Sequence, residues 1–325
     1  MPITVGGMEI FMINSPITDM IGIKYPLFQG GMAWIADGHL AAAVSNAGGL
    51  GIISAMNANG EYLREQIKIA RNETDKPFGV NVMLMSPFAD EVAKILAEEK
   101  VSVITTGAGS PAAYMKMWLE AGIIVIPVIA SVAMAKKMES CGAHAIIAEG
   151  GESGGHVGDL STMALVPQVC DAVSIPVIAA GGIGDGRGMA AAFMLGACGV
   201  QMGTRFLVAN ECGVHDNYKD KVLKASDIST IVTGKRLGHP VRSIKTPFSR
   251  GYAKAEYSSV DDADLEKMGV GALRLAAVMG DTKNGCFPCG QIAGMVKERQ
   301  SAKEIIEDTV FGAEKILKEA AKWVK

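Results

Sequence analysis

The residues best suited to chemistry lie in one stretch, Ala145-Ile-Ile-Ala-Glu-Gly-Gly-Glu-Ser-Gly-Gly-His-Val-Gly158. A short apolar run breaks into a turn with five glycines around one histidine, His156. Glycine packs little and loses much chain entropy on folding, so such density marks close approach of backbone to a ligand. Imidazole exchanges protons and donates hydrogen bonds near neutral pH, which makes His156 a candidate proton or hydrogen-bond donor. Bare backbone also follows two later apolar runs. Gly181-Gly182-Ile-Gly184 follows Val177–Ala180, and Gly203-Thr204-Arg205 follows Gly199–Met202. Unobstructed N–H groups and one hydroxyl can grip a phosphate, with Gly181, Gly182, Gly203 and Thr204 as the candidates.

These groups need a scaffold that gathers several loop ends in one place. Eight short apolar runs recur, each with a glycine, proline or polar break after it. They are 26–29, 50–53, 78–82, 101–105, 123–128, 145–148, 177–180 and 199–202. Stretches of helical length separate them. Phe88, Val92, Ile95 and Leu96 share one helical face, and Tyr114, Met117, Trp118 and Ala121 share another. Strict alternation of strand and helix predicts a parallel sheet. Eight evenly spaced units predict an α/β fold of the (β/α)8 TIM-barrel type, with a doubly wound open sheet as the alternative. Barrel active sites lie at the C-terminal ends of the strands. That end collects Gly30-Gly31-Met32-Ala33, Asn81, Thr105-Thr-Gly-Ala-Gly109 and the three turns above. Glycines after the first, fourth and sixth strands leave a flat floor. Floor and phosphate grip together suit a phosphorylated organic cofactor, flavin mononucleotide (FMN) above all.

The regularity stops after Met202. The expected division is an N-terminal arm (1–24), a barrel core (25–205), a small inserted domain or lid (206–288) and C-terminal helices returning to the barrel (289–325). The insertion carries a basic block, with Lys235, Arg236, Arg242, Lys245, Arg250 and Lys254 free of acidic neighbours, followed by an acidic block from Glu256 to Glu266. Helical signal returns at 291–298. Ser301-Ala-Lys-Glu304 is a capping box for a last helix, on which Ile305, Ile306, Ala313, Ile316, Leu317, Ala320 and Trp323 form one apolar face.

Composition narrows the function further. A net charge of -3 on 325 residues argues against nucleic-acid binding. No apolar run is long enough to cross a membrane. The first basic residue is Lys24, so the positive start of a secretory leader is missing, and a cytoplasmic protein is expected. Six cysteines sit mostly in apolar segments, as buried thiols of a reducing compartment would. No metal-ligating cluster is visible: five histidines are scattered without ligand spacing. Three motif matches fail. Gly151-Glu-Ser153-Gly-Gly155 resembles a nucleophile elbow, but glycines stand where its helix should begin. Gly182-Ile-Gly184 lacks the third glycine of a dinucleotide fingerprint, since that position is Arg187. Cys286-Phe-Pro-Cys289 is a lone pair, read as loop thiols rather than zinc ligands. His144 is read as structural, and His39, His215 and His239 have no supporting pattern.

Longer motifs carry a family resemblance. Tyr25-Pro-Leu-Phe-Gln-Gly-Gly-Met-Ala-Trp34, Asp75-Lys-Pro-Phe-Gly-Val-Asn-Val-Met83, Thr105–Gly109, Ala148–His156, Val177–Ile183, Val200-Gln-Met-Gly-Thr-Arg-Phe206 and Gly290-Gln-Ile-Ala-Gly294 span nearly the whole chain from Ile23. Together they resemble the flavin-dependent enoyl-acyl-carrier-protein reductases of bacterial type II fatty acid synthesis. The wider superfamily includes nitronate monooxygenases, which share the Gly-Gly-His turn and the Gly-Thr-Arg-Phe run. Trp34 and Lys76–Asn81 look more like the reductase. The Cys286–Cys289 segment and His144 depart from the family pattern.

The resemblance implies FMN, with NADH or NADPH as electron donor. Gly31, Met32, Ala33 and Gly154 would line the flavin, Asn81 would bond its pyrimidine edge, and Gln291 would lie nearby. Gly181, Gly182, Gly203 and Thr204 would take the phosphate. His156 matches the active-site histidine, either stabilising an enolate or protonating the α-carbon. Nitronate oxidation by oxygen is the enzymatic alternative, and a flavin- or phosphate-binding sensor the non-enzymatic one. The basic block, through Lys235, Arg236, Arg242 and Lys245, would steer an acidic acyl carrier protein. A solvated lid or a site for the NADPH phosphate explains the same charges. Apolar outer faces fit a homodimer.

Overall fold

The computed structural model describes residues 3–5, 8–10, 13–55 and 59–324, with side chains from residue 13 on. A short antiparallel pair, β1 (Ile3–Val5) and β2 (Met8–Ile10), precedes α1 (Pro16–Ile21). Eight strands then make the barrel: β3 (Leu27–Gln29), β4 (Gly51–Ser54), β5 (Phe78–Met83), β6 (Val103–Gly107), β7 (Ile124–Ile129), β8 (Ile146–Glu149), β10 (Val177–Ala180) and β11 (Gly199–Met202). All eight coincide with the apolar runs of the sequence. Their order is β3-β11-β10-β8-β7-β6-β5-β4, every pairing is parallel, and a parallel bridge from Phe28 to Leu50 closes the ring. The TIM-barrel expectation is borne out.

The interior is filled by branched and aromatic side chains. Phe28, Ile52, Val103, Ile126, Ile147 and Ile178 form one buried cluster. Ile17 and Ile21 of α1 join it from below. The Ser15 hydroxyl donates to Cys198 O, just ahead of β11, and Lys24 N–H donates to Gly48 O, ahead of β4. The later part of the expected arm, residues 15–24, therefore seals the N-terminal end of the barrel, leaving the opposite end open.

Outside run α2 (Gly38–Asn46), α3 (Gly60–Glu73), α4 (Ala89–Glu99), α5 (Ala112–Glu120), α6 (Val132–Ser140), α7 (Thr162–Cys170) and α8 (Gly186–Met194). On α4, Val92, Ile95 and Leu96 are buried as expected. On α5 the expected face packs on the core, with Trp118 buried and Tyr114, Met117 and Ala121 partly buried beside it, and Met115 is buried as well. The Trp118 indole N–H donates to Ala93 O at 3.0 Å, which fixes the rotation of the helix.

A segment between the eighth strand and the end of the chain holds α9 (Asp216–Leu223), β12 (Thr230–Thr233), β13 (Val241–Ile244), α10 (Pro247–Glu256), α11 (Asp262–Gly269) and α12 (Ala272–Ala277). The expected helix at 291–298 is only a 3-10 turn, Gln291–Met295. There Gly294 lies against the Ser226–Asp227 backbone so closely that a β-carbon would come within 2.8 Å. The last helix, α13 (Ala302–Glu319), begins at the Ser301/Glu304 capping box and packs on α8 and α2. It fills the outer-ring position between the last and first barrel helices. A β-carbon on Gly186 would lie 2.5 Å from the Gly312 backbone, so this crossing needs glycine. Trp323 departs from the expected apolar face: the α-helix ends at Glu319, and Trp323 is 82% exposed in the 3-10 turn beyond it.

Candidate active site

A cavity of about 630 Å³ opens at the C-terminal ends of the barrel strands. All the expected site residues line it except Gln291. Gln291 is exposed, and its N–H donates to Glu152 O at 2.9 Å. Its neighbours Gly290 and Ile292 face the cavity instead.

The floor comes from the barrel loops, and several of its glycines are sterically required. A β-carbon on Gly31 would stand 2.4 Å from the β-carbon of Asn81. Asn81 lies on β5, where its Oδ1 accepts from the Thr105 hydroxyl at 3.0 Å. That bond uses the carbonyl side of the amide and leaves the NH2 as donor. A β-carbon on Gly154 would fall 2.6 Å from the Cys289 backbone. Gly181 and Gly182 adopt φ of +87° and +71°, the left-handed region that favours glycine. Gly203 has ordinary space around it, so its role is not steric. Among the described residues, none accepts a hydrogen bond from the N–H groups of Gly182, Gly203 or Thr204. The Thr204 hydroxyl accepts from Gly290 N–H at 2.9 Å and also bonds the Cys289 thiol. Three adjacent donors without acceptors are what an anion requires.

The roof comes from the inserted segment, through His239, Val241, Phe248, Tyr252, Leu273 and Pro288. It also holds the candidate catalytic side chain. His156 lies in β9 (Gly155–His156), which pairs with β13 of the insertion and not with the barrel. Val241 opposes His156, Arg242 opposes Gly155, and Val157 N–H donates to Pro240 O at 3.0 Å. Arg242 adds a side-chain clamp: its Nε and Nη2 donate to Gly151 O at 3.2 and 2.9 Å, and Nη1 donates to Thr230 Oγ1 at 3.2 Å. One residue on, the Glu152 carboxylate accepts from the N–H and hydroxyl of Thr162 at the start of α7. His156 keeps an exposed edge, yet desolvation by these walls, and then the nearby His239, hold its pKa below its ordinary value. The imidazole is therefore neutral at pH 7 and donates one N–H.

Residues 14–312 match the nitronate monooxygenase family. The chain belongs to that family. It is 48% identical to FabK from Thermotoga maritima, whose solved structure superimposes with a TM-score of 0.94 over 96% of this chain and 100% of that one. It is 35% identical to a Mycobacterium tuberculosis (3aS,4S,5R,7aS)-5-hydroxy-7a-methyl-1-oxo-octahydro-1H-indene-4-carboxyl-CoA dehydrogenase, over 93% of this chain and 96% of the relative. A probable nitronate monooxygenase of Staphylococcus saprophyticus is 32% identical, over 94% and 99%. These are names of oxidoreductases, and this nitronate monooxygenase-family chain belongs among them.

Three cavity residues of this family member escaped the sequence reading. Gln201 is a buried amide in the otherwise apolar β11, and that interruption was its only signal. Glu149 ends the apolar run before the histidine turn. Burial pushes its carboxyl up to about 7, with the Ser153 hydroxyl offsetting part of the shift. His239 had no local pattern, because strand pairing brings it beside His156. The rejected motifs stay rejected: a strand, not a helix, follows Ser153. Cys286 and Cys289 are free thiols, pushed up by burial to about 11 and about 12. His144 is structural, with Nδ1 accepting from Val125 N–H at 3.1 Å. Among the described residues, no group of three or more His, Cys, Asp or Glu side chains is placed to hold a metal, and no helix is long and apolar enough to cross a membrane.

Half of the basic block is used internally. Arg236 pairs with Asp262 at 2.7 Å and donates to Val260 O, also at 2.7 Å. Arg242 holds the histidine turn, and Lys245 Nζ donates to Ile228 O at 2.7 Å. Lys235, Arg250 and Lys254 remain exposed at the surface of the insertion.

Proposed function

We propose that this protein is an FMN-dependent enoyl-thioester reductase that uses NADH or NADPH and acts on enoyl-acyl carrier protein in fatty acid elongation. The observation that carries the reading is the cavity itself: a floor of bare backbone under an apolar roof, with a neutral histidine between them. The residues fit the cofactor. The Gly182, Gly203 and Thr204 N–H groups and the Thr204 hydroxyl would hold its phosphate, Gly31–Ala33 would lie against its ring, and the Asn81 NH2 would meet its pyrimidine edge. Bound FMN would supply hydride transfer between a nicotinamide and the enoyl β-carbon. Phe248, Tyr252 and Leu273 would exclude water from an acyl chain above the floor. His156 would donate its N–H to the thioester oxygen or give a proton to the α-carbon. The 48% identity to FabK over 96% of this chain supports the reading more than the 32% identity to a probable nitronate monooxygenase does.

The test is anaerobic spectroscopy of the yellow protein with NADH or NADPH, then crotonyl thioester. Bleaching by the nicotinamide and return of colour with the enoyl compound is the expected result. No bleaching by either nicotinamide, with rapid bleaching by an alkyl nitronate, would assign the protein to nitronate oxidation. A protein that binds no flavin would remove the cofactor from the proposal. His156→Ala should lower turnover by about 10²-fold or more while the colour stays.

The acidic carrier would meet Lys235, Arg250 and Lys254, the basic-block residues without internal duties. Replacing all three with Glu should raise the apparent KM for a carrier-bound enoyl substrate several-fold and leave a short thioester unaffected. Equal effects on both substrates would remove the carrier from this surface.

A further inference from the structure

His156 is one of two histidines at the cavity, and His239 is the other. Their relative placement is set by backbone. The residues that follow each histidine are bonded to one another, Val157 N–H to Pro240 O at 3.0 Å. Val241, two positions after His239, is the register partner of His156. The turn that presents His239 is pinned. His239 N–H donates to Gly234 O at 3.1 Å. The buried Glu256 carboxylate accepts from the N–H groups of Gly234 and Arg236 at 3.1 and 2.8 Å. Gly234 has φ +83°, and a β-carbon there would lie 2.6 Å from His239 O. This loop holds one shape.

The other titratable groups at the cavity are Glu149, Glu152, Tyr252 and Cys286. Glu149 and Glu152 belong to the floor side, and Glu152 is occupied by Thr162. Tyr252 and Cys286 lie outside the strand pairing that ties the two histidines together. A neutral imidazole has one N–H to give, while an oxygen that gains negative charge accepts two or more hydrogen bonds.

We propose that His156 and His239 form a two-donor site for the acyl oxygen of the substrate, each giving one N–H to the charge that develops there. This rests on the enoyl-thioester reading. Each ring gives its N–H as a neutral imidazole, and for His156 desolvation and then the neighbouring His239 favour that form. It gives the insertion a side chain at the reacting atoms, beside its part in holding the histidine turn.

Two measurements test it. In the flavin-loaded wild-type protein, imidazole 15N resonances of both histidines should shift on titration with butyryl thioester, which cannot be reduced. His156→Gln and His239→Gln provide the assignments. A shift confined to His156 would overturn the proposal. In kinetics, His239→Leu should lower kcat/KM by about 10²-fold with colour retained, the usual loss for one donor at a developing oxyanion. His239→Asn, which keeps an N–H, should recover part of that loss. A His239→Leu variant within twofold of wild type, or equal loss in both variants, also overturns it. Failure of the underlying reading looks different: the wild type itself then reduces no crotonyl thioester.

Discussion

The two walls of the cavity are made in opposite ways. The floor works by the absence of side chains. Gly31, Gly154, Gly181 and Gly182 leave backbone bare, and a β-carbon at Gly31 or Gly154 would collide with a neighbour at 2.4 or 2.6 Å. The roof works by the presence of side chains: His239, Phe248, Tyr252 and Leu273 reach down from the insertion. The floor is built on barrel strands whose pairing is parallel throughout. The roof hangs on a hairpin and short helices with little regularity of their own. A rigid floor recognises a flat, invariant group, and a wall of side chains can be varied to suit a substrate.

The sharpest way to break this comparison is to give the floor a side chain. Gly31→Val would drive a branched group into Asn81, displacing both the bare backbone and the amide donor. Flavin affinity should fall by at least about 100-fold, read by fluorescence quenching on reconstitution. Leu273→Ala on the roof should leave flavin affinity within a few-fold and change only the acyl substrate's KM. If both variants bind flavin as the wild type does, the floor is not the cofactor wall.

The same division explains what could be read from the chain alone. The floor was legible because glycine is itself the signal: a glycine cluster after an apolar run says backbone must come close to something. The eight strands were legible because fully buried parallel strands read as short apolar runs. The roof was not legible. His239 becomes a cavity residue only through β13 pairing with β9, a contact between segments far apart in sequence. Arg242 and Lys245 looked like surface charge, because nothing local says that their donors end on Gly151 O and Ile228 O. Gln291 was misplaced for a related reason. A 3-10 turn replaces the expected helix there and rotates its side chain out to solvent.

Acidity and alkalinity should separate the walls as well. Glu149 in the floor has its pKa raised from 4.5 to about 7 by burial. A raised carboxyl contributes stability that is full below pH 4.5 and is lost as pH rises toward about 7. The whole effect is about 3 kcal/mol. His156 has the opposite sign. Its pKa is lowered from 6.5, so stability is full above 6.5 and is lost as pH falls through the folded value. Melting temperature against pH should therefore rise for Glu149→Gln relative to wild type above neutrality, and for His156→Gln relative to wild type on the acid side. A Glu149→Gln profile parallel to that of the wild type would show that the carboxyl ionises without cost.

The smallest of these effects is expected where the walls are joined. Arg242 belongs to the roof by sequence, and its guanidinium gives two bonds to Gly151 O, where the histidine turn leaves the floor. Strand pairing already aligns His156, so the clamp restrains a geometry that exists without it. Arg242→Leu should lower kcat by about 10- to 30-fold, the scale of a modest misplacement of a catalytic group. Flavin affinity and melting temperature should hold, because the phosphate donors and the barrel core lie elsewhere. Arg242→Lys offers one point charge where two directed N–H groups were used, so it should restore little. Loss of flavin together with turnover would mean that Arg242 supports the floor itself, and the two walls would then be one structure.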